Sequence, residues 1–104
     1  MIYLMATVNA VSGKRDEFVN MLRDEFIPLT ERHGQKLVAS WRSVSGTVDQ
    51  IIDMWSYESF EHFEKVSRSQ MHDPEWRAAY TRLRPLVLCE NLQLLTAFPF
   101  SPIK

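Results

Sequence analysis

The alternation of apolar and polar positions changes period several times along the chain. Residues 2–9, IYLMATVN, are mostly β-branched, aromatic or otherwise apolar, which predicts a first strand. After a Ser-Gly break, Phe18, Leu22, Phe26 and Leu29 recur at intervals of four, four and three, one apolar stripe along a helix. Asp16 and Glu17 fall in its first turn, where the macrodipole favours acids. Pro28 lies within this helix and cannot donate to the Asp24 carbonyl, so a kink or break is expected there. His33-Gly34 marks the helix end, with Gly34 free to take a left-handed cap. Residues 36–44 and 50–57 read as two strands joined through SGTVDQ, a hairpin. A second helix is expected from Glu58 to about Met71, with Phe60, Phe63 and Val66 inward. In HDPEW, Asp73 suits an N-cap, Pro74 the first helical position and Glu75 the positive end of the dipole. The short helix that follows carries Trp76, Tyr80 and Leu83 on one face, Pro85 ends it, and residues 86–97 form a last strand.

The order β-α-β-β-α-β, with the second helix split, is the ferredoxin-like pattern: an α+β fold with a four-stranded antiparallel sheet, a single domain over residues 1–104. Strand alternation then assigns faces. The uniformly apolar sets (Ile2, Leu4, Ala6, Val8; Leu37, Ala39, Trp41; Ile52, Met54) are placed under the helices. The mixed sets, including Tyr3, Met5, Val38, Arg42, Asp53, Trp55 and Tyr57, share the opposite face. That face exceeds the apolar patch a monomer ordinarily exposes, so a second copy is expected to cover it, pairing two sheets into a dimeric α/β barrel.

Composition narrows the partners. Net charge −1 and a pI near 6.3 supply no electrostatic footprint for nucleic acid or an anionic membrane, and no apolar run is long enough to span a bilayer. Cys89 is the single cysteine, which excludes an internal disulfide. The free thiol and the strand-like N-terminus suit a soluble protein of the reducing cytoplasm. Twelve aromatics in 104 residues are generous enough to furnish an interface or the wall of a pocket for a small apolar or aromatic ligand.

The chain resembles the NIPSNAP family within the dimeric α/β-barrel group. The stretches that carry the likeness are SGKRDEF after strand one, HGQKLVASW into strand two, the Gly46 turn, DMWSYES, DPEW and the closing Arg84-Pro85, in family order over nearly the whole chain. The resemblance implies a ferredoxin-like subunit and dimerisation, and brings no general biochemical activity with it. Relatives often carry Glu and Arg in strand one, where this chain has Leu4 and Ala6, and a His two residues before the strand-three Trp, where it has Asp53.

Asp53 is the first candidate for chemistry, because an ionised carboxylate inside an apolar strand needs a partner or a task. Arg42 is the expected partner across the hairpin if the register places Val44 opposite Ile51; the alternative is a pocket acid serving as general base. Trp41, Trp55, Tyr57 and Trp76 are candidates for an aromatic pocket or the interface. His33, His62 and His72 lack metal-ligand spacing, and Cys89 reads as a small core residue, so neither metal nor cofactor is expected. Two functions stay open: a homodimeric small-molecule-binding or protein-interaction module, or a cofactor-independent enzyme of the monooxygenase or isomerase type using Asp53 with Arg42. A cavity of a few hundred cubic ångströms reaching Asp53 separates the second from the first.

Overall fold

The computed structural model describes all 104 residues. Strand β1 (Ile2–Ala10) leads into helix α1 (Arg15–Met21), a π-helical turn (Leu22–Phe26) and α2 (Ile27–Glu31). The hairpin β2 (Lys36–Arg42) and β3 (Gln50–Tyr57) follows, then α3 (Phe60–Met71), α4 (Pro74–Leu83), a 3-10 turn (Arg84–Leu86) and β4 (Val87–Leu95). The strands form one antiparallel sheet in the order β2-β3-β1-β4, the ferredoxin-like arrangement. The molecule is 19 Å across its thinnest dimension, about the depth of one helix layer on one sheet. No helix is long and apolar enough to cross a membrane.

Local sequence accounts for the helix ends. Asp73 caps α4 by accepting from the Glu75 N–H at 2.9 Å, with Pro74 at the first helical position, and Ser59 caps α3 through the His62 N–H at 3.1 Å. The proline in the first helix does not break it. The Ile27 N–H bonds back five residues to the Leu22 carbonyl, so the missing Pro28 donor is absorbed in one wide π turn and the helix continues to Glu31. At its end Gly34 has φ +102°, and a Cβ there would lie 3.1 Å from His62 Nε2. His33 bridges to the other helix pair. Its Nε2 lies 2.8 Å from Asp73 Oδ2 and its Nδ1 2.7 Å from Ser69 Oγ. Hydrogen bonding to His33 holds the Asp73 carboxyl below its ordinary range.

Register overturns the expected faces. Ile2, Leu4, Ala6 and Val8 of β1 do lie under the helices, but their partners in β3 are Tyr57, Trp55, Asp53 and Ile51. Asp53, Trp55 and Tyr57 are therefore beneath the helix layer, each 3% exposed, while Ile52 and Met54 point to the open face. In β2 a bulge at Val38 switches the alternation, so that Leu37 shares the helix side with Trp55, whereas Ala39 and Trp41 pair with Met54 and Ile52 on the open face. Phe60 is exposed rather than inward, and Cys89 lies exposed beside Asn9, whose side-chain amide donates to its sulfur at 3.1 Å.

Only 19 of 104 residues are buried, and ten of the fourteen buried apolar ones fall into two separate clusters. Val8, Ala10, Phe18, Leu22, Ile51, Leu83 and Leu86 pack at one end of the sheet, and Ile2, Tyr57 and Val66 at the other. Gly34 ties the first helix to α3 at the second end. Replacing it with Ala is expected to lower stability by at least about 1 kcal/mol, since both the positive φ and the His62 contact oppose a Cβ. A urea-denaturation midpoint equal to that of the wild type would contradict this account.

Candidate functional site

Between the two clusters one row of the sheet carries little volume. The row crossing it there is Ser40, Asp53, Ala6 and Leu92, so at the centre the helices face a hydroxyl, a carboxyl and a methyl. The space left over is a cavity of about 940 Å³ between sheet and helices, lined by 26 residues of which 17 are hydrophobic. This is the volume and lining of a small-molecule site.

Asp53 is the polar group of its floor. Oδ1 accepts from Ser40 Oγ at 2.5 Å, and no guanidinium or ammonium lies within salt-bridge distance. Burial pushes its carboxyl above the ordinary carboxylate range, with the Ser40 hydrogen bond only partly opposing. The expected partner Arg42 is on the same side of the sheet but opposite Ile51, two pairs further along the edge strand, where it is exposed and unpaired. Ser40 takes the place assigned to it.

The walls are aromatic. Trp76 stacks on Tyr80 with ring centroids 5.4 Å apart and planes 11° from parallel, and Phe26 packs against both. The Trp76 indole N–H donates to Thr30 Oγ1 at 3.1 Å, fixing the ring to α2. The π turn matters here, because it sets the rotation of the helix from which Leu22 and Phe26 reach the cavity and Leu29 and Thr30 the core. Trp55 and Tyr57 line the strand side, and Tyr57 meets Phe63 edge to face at 5.0 Å. Burial keeps the Tyr57 hydroxyl protonated far above its usual range. Gln70 donates to Gln35 at 2.8 Å, a buried amide pair closing one side.

Of the residues singled out from sequence, the cavity therefore brings together Asp53, Trp55, Tyr57 and Trp76, and leaves out Trp41 and Arg42. Trp41 is 54% exposed on the open face. The sequence reading missed Gln35, Gln70 and the stripe Arg77, Thr81, Arg84, which line the cavity. The stripe was visible as an i, i+4, i+7 run beside Trp76, Tyr80 and Leu83. No cluster of His, Cys, Asp and Glu has the makings of a metal site.

Over 98% of its length the chain is 26% identical to Protein NipSnap of Drosophila melanogaster, and it spans 39% of that relative. An uncharacterized NIPSNAP domain protein from Burkholderia xenovorans superposes with a TM-score of 0.90 at 25% identity, covering 98% of this chain and 99% of that one. A NIPSNAP family protein from Agrobacterium tumefaciens does so with the same score and identity, over 99% and 98%. An antibiotic biosynthesis monooxygenase shares the fold at a TM-score of 0.71 with 9% identity, over 95% of this chain and 100% of that one. The NIPSNAP family's sequence pattern matches residues 3–102, and the chain belongs to that family.

Proposed function

We propose that this protein binds a small organic molecule in the cavity between sheet and helices, and works as a homodimer joined through the open sheet face. The observation that carries the binding reading is a carboxyl on the floor of an aromatic cavity of about 940 Å³, with one oxygen bonded to Ser40 and the other free of protein partners. A purely structural carboxylate would be placed where pairing lowers its energy. Asp53 is instead held where ionisation is opposed, which costs stability and is characteristic of a group kept for its contact with a ligand. A cavity that reaches Asp53 is also what the cofactor-independent enzyme requires, and with the poised carboxyl it favours a second reading, in which the same site turns its ligand over with Asp53 accepting a proton.

The dimer reading rests on the face away from the helices. Met5, Ile52, Met54 and Trp41 share it, no helix covers it, and Trp41 is half exposed at its edge. A sheet face of this character is buried by another sheet in stable assemblies.

Two outcomes test these readings. Asp53→Asn keeps an oxygen to accept from Ser40 but cannot ionise. Because the folded carboxyl holds its proton more tightly than the unfolded one, wild-type stability declines as pH rises from the ordinary value of 3.8 through the raised one. The variant is therefore expected to melt a few degrees higher at pH 7, with the difference closing near pH 4. Native mass spectrometry should find the retained small molecule on the wild type and not on the variant. A variant less stable at pH 7 would mark Asp53 as structural. For assembly, light scattering on the eluting protein should give twice 12.2 kDa, and Trp41→Glu should shift it toward one subunit. A clean single-subunit mass for the wild type would sink the dimer.

A further inference from the structure

Charge at the cavity mouth narrows the ligand's chemistry. The stripe Arg77, Thr81 and Arg84 lies on one lip, and the helix-side face of β4, with Glu90, Leu92 and Leu94, on the other. All six are exposed, whereas the floor residues Asp53, Trp55 and Tyr57 are buried, so the cavity opens between α4 and β4. Five of the eight arginines (Arg15, Arg23, Arg32, Arg68 and Arg82) pair with carboxylates. Arg77 and Arg84 pair with none, although both face the same cavity. Glu90, the acid opposite them, is engaged by the Tyr80 hydroxyl at 3.3 Å. The mouth thus offers two free planar donors, and a guanidinium fork matches a carboxylate. Inward from it lie the stacked Trp76–Tyr80 pair and Phe26, surfaces suited to a flat apolar body. At the far end the second oxygen of Asp53 has no protein partner.

Resting on the reading of this cavity as a ligand site, we propose that its occupant is a hydroxylated aromatic acid. The ring system lies against Trp76 and Tyr80, the carboxylate meets Arg77 and Arg84 at the mouth, and the hydroxyl reaches Asp53. An anion entering in the opposite sense would put its charge beside a buried carboxyl and away from both guanidiniums, so the orientation follows from the charges.

Calorimetric titration with 6-hydroxy-2-naphthoate, its methyl ester and 2-naphthoate tests each contact. The acid is expected to bind at least about tenfold more tightly than the ester, the worth of one charge-assisted hydrogen bond. R77Q/R84Q should erase that preference and leave ester affinity unchanged, which also shows the cavity intact. Salt at 0.5 M should weaken the acid and spare the ester. 2-Naphthoate should bind more weakly than the hydroxy acid to the wild type and equally to D53A. Equal affinity for acid and ester in the wild type would overturn the anion assignment while leaving the cavity a ligand site. A double variant that keeps the acid preference would overturn the role of the two arginines. Binding of none of the three would overturn both this proposal and the ligand-site reading beneath it.

Discussion

The architecture turns on one row of side chains across the sheet. Ser40, Asp53 and Ala6 stand side by side on the helix-facing surface, and none has the bulk to fill the gap to the helix layer. Close packing is what a protein interior ordinarily requires, and here the buried apolar side chains cluster at the two ends, as the Phe18–Leu22–Ile51 cluster and the Ile2–Tyr57–Val66 cluster. The helices consequently rest on the sheet as a roof on two walls. The room between them is the cavity with Asp53 on its floor.

That division explains why stability must be gathered elsewhere. The helix ends are tied by polar contacts: His33 between Ser69 and Asp73, Arg32 to Glu75 at 2.9 Å, and Arg82 to Glu25 at 2.8 Å. The last two are solvent-exposed pairs of modest worth. The His33 contacts are better sheltered, and join the end of the first helix to the junction of α3 and α4. They fix how far apart the helices stand, and therefore how wide the cavity is.

Much of the fold could be read from residue order. The strand periods, the Pro28 irregularity and the Asp73-Pro74 cap are local signals, and local physics decides them. The faces of β3 were not legible in the same way. Ile51, Trp55 and Tyr57 on one side and Ile52 and Met54 on the other are all apolar, so alternation carries no contrast, and Asp53 drew its whole set toward the solvent side. The deciding fact is pairing: Ile2 opposite Tyr57 and Ala6 opposite Asp53 put the carboxyl in line with the most buried residues of β1. A single bulge at Val38 then reverses β2, separating Trp41 from Leu37 by a contact that no periodicity encodes. Pairing does put Arg42 and Asp53 on one side of the sheet, but Arg42 rather than Val44 stands opposite Ile51, and that shift of two residues gives the carboxyl to Ser40.

The π turn ahead of Pro28 has a consequence for how this chain can vary in length. A wide turn is an ordinary helical turn holding one surplus residue. The helix from Arg15 to Glu31 is thus one residue longer than its rise requires, and the surplus is bound to the proline that lacks the N–H. Insertions and deletions, usually confined to loops, have here a foothold inside a packed helix. A lineage that replaced Pro28 with a residue that has an N–H could shed one residue from Leu22–Phe26, close the wide turn to an ordinary one and keep Leu29 and Thr30 facing the sheet.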